Sequence, residues 1–224
     1  MIIKNTPDWS LEDATALQGW KTVVGVDEAG RGPWAGPVVA AAAWIPPEAR
    51  SELPVEVNDS KRLKASAREA IVDHLLAGPG WKVAVGVASV EEIDQHNILR
   101  ATFLAMRRAI AGLDLSVDFL LVDGKHLPGS KCTGDAVVKG DQRSLSIATA
   151  SILAKVTRDR IMTEEVERRF PGYGFARHKG YGTRFHQQAL ARLGPCPVHR
   201  RSFGPIRRLV EAGASDHRPA GTSR

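Results

Sequence analysis

The chain has 224 residues, 43% of them hydrophobic and 25% charged, with a formal net charge of +6; this is the make-up of one globular domain and excludes a disordered chain. Its longest apolar run, Val38 to Ile45, falls far short of the ~20 residues that cross a bilayer. The N-terminal MIIKNTPDWSLEDA lacks the basic-then-apolar order of a secretion signal, and two cysteines, Cys132 and Cys196, form neither a disulfide framework nor a zinc spacing, so a cytoplasmic chain with no membrane partner is expected.

Residues 1–20 are polar with a weak helical pattern and read as an N-terminal extension. Lys21 to Asp27 predicts a buried, valine-rich strand, Pro37 to Ile45 a second, and Trp81 to Ala88 a third, with a helix over 64–77 between the last two. Residues 90–113 predict one helix, with Ile93, Ile98, Phe103, Met106 and Ile110 on its buried face. Val117 to Asp123 is the fourth strand and Ala136 to Lys139 a short fifth. Ser144 to Phe170 predicts a long helix stopped by Pro171, followed by a flexible glycine loop from Gly172 to Gly182 and a short helix near 184–193. Residues 213–224 read as a disordered tail. The order implies a mixed α/β sheet flanked by helices, with one main domain over 21–212 that ends in a small helical part.

Charge is unevenly placed. Met1 to Val138 carries 14 Lys/Arg and 18 Asp/Glu, whereas Lys139 to Arg208 carries 15 and 5. A concentrated basic region is the footprint of a polyanionic partner.

Two hydrophobic strands end in acids, VVGVDE at Asp27 and Glu28 and FLLVD at Asp123. Burying unpaired carboxylates is costly, and acids packed together repel unless a cation lies between them. Oxygen ligands without His or Cys point to Mg²⁺ or Mn²⁺. Neighbouring residues on a regular strand face opposite ways, so Asp27 and Glu28 share a site only where the strand distorts or ends. A fourth acid has two candidates: Asp141, which could be the cap of the long helix, and Asp159, which could be an ion pair with Lys155 one turn back.

DEAGRGPWAGP places Gly30, Gly32 and Gly36 within seven residues, a loop whose backbone can approach a ligand closely. Together with NDSKRL, VDGKH, KGDQRSLSIATASILAKVTRDR and HKGYGT, in that order from about residue 22 to 205, it resembles the motif set of ribonuclease HII. The resemblance implies a ribonuclease H-like fold and a two-metal endonuclease, using Mn²⁺ or Mg²⁺. Such an enzyme cuts RNA–DNA hybrids and DNA duplexes with embedded ribonucleotides, on the 5′ side of the ribonucleotide, leaving 3′-hydroxyl and 5′-phosphate ends and so serving ribonucleotide removal from DNA. It further implies that Asp27, Glu28, Asp123 and Asp141 are the metal-binding acids, which favours Asp141 over Asp159. Gly30-Arg31-Gly32 then resembles the loop that meets the ribose 2′-hydroxyl, Tyr181 the ring packed on the adjacent deoxyribose, and Lys61 a phosphate contact. A monomer is expected. The alternatives are a ribonuclease H-like nuclease that cuts branched all-DNA substrates, and a non-catalytic nucleic-acid-binding protein that needs no metal.

Overall fold

The structure, a computed structural model, describes residues 6–54, 56–57, 63–78, 80–129 and 133–215, with side chains as far as 212. Five strands form one sheet: β1 (Val23–Ala29), β2 (Val38–Trp44), β3 (Lys82–Ala88), β4 (Phe119–Asp123) and β5 (Thr133–Val137). Their spatial order is β3-β2-β1-β4-β5. β2 runs antiparallel to β1 and β3, and β4 runs parallel to β1 and β5.

β1 and β2 are rich in valine and alanine and β4 in leucine, because both faces of these central strands are covered. On one face lie α2 (Ala65–Ala77) and α5 (Leu145–Arg160), where Ile71, Leu75, Ile152 and Val156 meet Ala41 and Ala43. On the other lies α4 (Ile98–Gly112), where Ala101, Ala105 and Met106 meet Val24, Val26, Ala40 and Val122. Burying each larger aliphatic side chain contributes roughly 1.5–3 kcal/mol. The alanines and glycines have a different use, since they let backbones approach. At Gly25 a Cβ would collide with the backbone of Ser146 and Ile147, so α5 rests directly on β1.

The expected N-terminal extension is tied into this domain. Its helix α1 (Ser10–Leu17) carries a buried Glu12. Glu12 Oε1 accepts from the Ser144 hydroxyl at 2.6 Å, the Ser146 hydroxyl at 2.6 Å and the Ser146 amide at 3.0 Å. Ser144 in turn caps α5 by accepting from the Ile147 amide. A carboxylate here also faces the positive end of the helix dipole.

Several expectations need correction. The single helix over 90–113 is two, α3 (Val90–His96) and α4, broken at Asn97. Asn97 has φ 69° and ψ 164°, and its side chain accepts from the Arg100 amide to cap α4. A hydrophobic period continues across that break, which is why the pattern concealed it. The fifth strand lies earlier than expected, at Thr133–Val137. The long helix leaves α-geometry at Ile161–Val166, a π-helical turn, before the short α6 (Glu167–Arg169). The supposedly flexible glycine loop contains α7 (Phe175–His178) and buries Tyr173 and Phe175. The terminal helix α9 (Gly204–Ser215) reaches three residues into the stretch expected to be disordered; the rest of that stretch lies outside the described residues.

The C-terminal part packs α7, α8 (Arg184–Leu193) and α9 around Met162, Tyr173, Phe175, Leu190 and Ile206. Three buried histidines run through it. His178 Nε2 lies 2.8 Å from the Tyr173 carbonyl, while its Nδ1 accepts from the Gly180 amide. His186 Nδ1 lies 3.0 Å from the Tyr181 carbonyl, His186 Nε2 is 2.9 Å from His199 Nε2, and His199 Nδ1 accepts from the Cys196 amide. His199 Nδ1 also lies 3.2 Å from the Cys196 carbonyl and 3.1 Å from Cys196 Sγ. Only one proton fits between His186 Nε2 and His199 Nε2, so charging both rings would set N–H against N–H.

Both features bear on stability. Glu12→Ala removes one acceptor from two serines and an amide and should cost about 1–3 kcal/mol in denaturant unfolding; an unchanged midpoint would refute the tie. Burial lowers the pKa of His178, and holds His186 and His199 down at about 4 against an ordinary value of 6.5. The unfolded chain then binds protons that the folded one refuses. Stability should therefore be fully present above pH 6.5 and fall as pH drops toward about 4. Thermal melts across that window check it, and a flat profile would contradict the neutral network.

Candidate active site

β1 and β4 are parallel neighbours in a register that sets Val26 beside Val122. The next residues, Asp27 and Asp123, therefore emerge at the same end of adjacent strands. The β1–β4 ladder stops there, while β1 stays paired to β2 as far as Ala29. Beyond Val26 one edge of β1 is thus open, and across it both Asp27 and Glu28 border the same cavity, together with Asp123.

This cavity, about 330 Å³, is also lined by Gly30, Arg31 and Gly32 from the glycine loop, by Ser151, Lys155 and Arg158 from α5, and by Tyr181. Seven of the expected site residues thus converge. Asp141 is not in the lining. It is buried in the turn Gly140–Gln142 directly behind, and the Gly140 amide donates to Asp123 Oδ1 at 2.6 Å. Asp159 lies outside the cavity and is held by Lys155 at 2.7 Å, as the ion-pair alternative supposes. Lys61 lies outside the described residues.

The three acids repel one another. Burial first, then the charges of Glu28 and Asp123, raise the Asp27 pKa well above its ordinary value, opposed by hydrogen bonds from Ser151 and the Glu28 amide. Each acid spends an oxygen on a protein donor: Asp27 on the Glu28 amide at 2.6 Å, Asp123 on Gly140, and Glu28 on Arg31 at 3.1 Å. Accordingly, no three His, Cys, Asp or Glu side chains among the described residues stand ready-made around one ion. The donor set nonetheless fits a hard divalent cation: it is all oxygen, desolvated and mutually repelling, and a cation would relieve that repulsion.

The glycine loop is held from beneath by two arginines. Arg158 donates from Nε to the Pro37 carbonyl, from Nη2 to Ala35 and from Nη1 to Lys179, at 3.0–3.1 Å. Arg200 donates to the carbonyls of Gly36, Arg31, Gly30 and Pro37, at 2.6–3.1 Å. Both are at most 1% exposed, and burial lowers their pKa values to about 10 and about 9. The basic region therefore is not all surface for a polyanion. Arg158 and Arg200 are internal, and Arg160 pairs with Glu69 and Asp73.

Tyr181 is 47% exposed, with its ring beside Gly32. Tyr173, in the similar Gly-Tyr-Gly setting, is 7% exposed, stacks on Phe175 and donates its hydroxyl to the Gly194 carbonyl. The two tyrosines are thus separated into an exposed cavity-lining residue and a core residue.

Sequence reasoning missed Ser151, Lys155, Arg158 and Arg200. The first three carried a signal: they stand at i, i+4 and i+7 on an otherwise buried helix, a polar stripe that needs a partner. Arg200, in HRRSF, carried none.

The family model for ribonuclease HII matches residues 24–205. A ribonuclease HII from Rhodospirillum rubrum is 53% identical over 209 residues, spanning 93% of this chain and 94% of its own. The ribonuclease H2 of Pyrococcus horikoshii superposes with a TM-score of 0.71 at 27% identity, over 85% of this chain and 98% of its own. Bst-RNase HIII in complex with Mn²⁺ shares the fold, with a TM-score of 0.65 at 18% identity, over 87% of this chain and 70% of its own. Five ordered motifs, a ribonuclease H-like sheet and a match over most of the chain lead to one assignment: this protein belongs to the ribonuclease HII family, endoribonucleases that act on RNA–DNA.

Proposed function

We propose that this chain cuts the phosphodiester on the 5′ side of ribonucleotides in DNA, at the cavity between Asp123 and Tyr181, leaving 3′-hydroxyl and 5′-phosphate ends. The observation that carries this reading is the meeting of three acids, a glycine loop and an exposed tyrosine in one cavity. Asp27, Glu28, Asp123 and, from behind, Asp141 would hold two divalent ions, Mg²⁺ or Mn²⁺, and Bst-RNase HIII, which shares the fold, is known with Mn²⁺. Bound there, such ions supply an activated water and charge stabilisation for the leaving oxygen.

The remaining work falls to the chain. Ser151 and the Glu28 amide hold the Asp27 carboxylate in place, and Gly140 fixes Asp123. Arg31, at the exposed rim, holds Glu28 at 3.1 Å. Lys155 offers a cation at the cavity wall for a backbone phosphate. Gly30, Arg31 and Gly32 read the 2′-hydroxyl, the group that separates ribose from deoxyribose. Tyr181 lays its ring on the following sugar, which fits only without that hydroxyl. Together these make the RNA-to-DNA step the preferred site. Among the described helices none is long and apolar enough to cross a membrane.

The direct test is cleavage of a duplex with one embedded ribonucleotide, with and without Mg²⁺ or Mn²⁺; cleavage of branched all-DNA substrates instead would overturn the reading. In the same assay Asp123→Asn should abolish cutting with folding nearly intact, and Asp141→Asn should do more damage than Asp159→Asn, which only breaks an ion pair to Lys155. The reverse ranking would identify Asp159 as the fourth acid. Tyr181→Ala should lower cleavage about five- to a hundredfold, the value of one ring contact with nucleic acid, while Tyr181→Phe keeps most activity. Tyr173→Ala, by contrast, should lower the melting temperature, because it empties a core position. Wild-type cleavage by Tyr181→Ala would remove that residue from the site.

A further inference from the structure

The two buried arginines do more than fill space. A trans peptide points its carbonyl and the following N–H in opposite directions. Arg200 holds the Gly30 carbonyl with Nη2 at 2.6 Å and the Arg31 carbonyl with Nη1 at 3.0 Å. The next amides, those of Arg31 and Gly32, must then point away from the guanidinium. Both residues line the cavity, and neither amide donates to a protein acceptor among the described hydrogen bonds. A planar fork suits this task, because its donors have a fixed mutual angle and so fix the angle between two peptide planes. Arg158 restrains the far end of the same loop through Ala35 and Pro37, and ties it to the Tyr181 segment through Lys179.

We propose that Arg200 is a positioning residue for ribonucleotide recognition: by drawing the Gly30 and Arg31 carbonyls inward it turns two consecutive amides, Arg31 N–H and Gly32 N–H, toward the ribose 2′-oxygen. The proposal rests on the reading that the glycine loop meets that oxygen. It gives Arg200 a role in specificity without contact with the substrate, since its side chain is fully buried. Lysine at this position keeps the charge but cannot hold two carbonyls at a set angle, so Arg200→Lys separates the fork from the charge.

The experiment measures binding, without divalent metal, to two duplexes of equal sequence, one with a single ribonucleotide and one all-DNA. Wild type, Arg200→Lys and Glu12→Ala are compared, the last as a destabilised control far from the loop. Arg200→Lys should reduce the preference for the ribonucleotide duplex about tenfold, the value of one or two lost hydrogen bonds, while Glu12→Ala leaves the preference unchanged. An Arg200→Lys protein that folds and keeps the wild-type preference overturns the proposal. An equal loss of affinity for both duplexes also overturns it, since the amides would then serve a phosphate common to the two. Absence of any preference in wild type would instead bring down the reading of the loop itself. If Arg200→Lys does not fold, amide spectra of wild type decide. The Arg31 and Gly32 amide resonances should move with the ribonucleotide duplex and stay with the all-DNA duplex, and identical responses to both would refute the assignment.

Discussion

The arrangement of this protein depends on two cations placed where water cannot reach them. Arg158 comes from the central helix α5 and Arg200 from the segment before α9, yet both converge on the carbonyls of residues 30–37. A loop with three glycines would otherwise sample many conformations, and ordering it costs conformational entropy. Five of its carbonyls are spent on guanidinium donors instead. Desolvating an arginine is expensive, and the multiple charge-assisted hydrogen bonds offset that cost. The same bonds join the sheet domain to the C-terminal helices, so loop conformation and domain packing are set together.

The acids are placed by simpler means. They need only a parallel strand pair in a fixed register, Val26 beside Val122, and the end of a ladder. The result is an electrostatic misfit, with Asp27 buried beside Glu28 and Asp123 and its pKa driven up. A fold tolerates such a misfit where a ligand later resolves it, and sites of this kind mark function more often than structure. Ser151 and Gly140 keep the carboxylates oriented meanwhile.

Much of this is legible in the sequence, for identifiable reasons. Strands β1 to β4 announce themselves as apolar runs, and the acids near the ends of β1 and β4 are conspicuous because charge seldom closes a buried strand. The motif order carries the family. The break at Asn97 is hidden because the apolar period runs through it, and β5 is hard to place because most of its residues are exposed. The helical C-terminal part resembles a mobile loop in sequence only if glycine is equated with freedom. There, positive φ at Gly174 and Gly180 serves turns around a packed core. Arg158 and Arg200 pass for surface charge, since a count of basic residues cannot distinguish a solvated side chain from one enclosed by carbonyls.

The buried arginines have one more effect, which acts at a distance. Among the described residues neither forms a salt bridge, so each leaves a positive charge lodged under the floor of the cavity. Mobile ions gather around surface lysines and blunt their reach within about 8 Å at physiological ionic strength. They cannot enter the protein interior, so the field of an enclosed charge is screened far less. The two interior arginines therefore offset part of the negative charge of Asp27, Glu28 and Asp123 whatever the salt concentration outside.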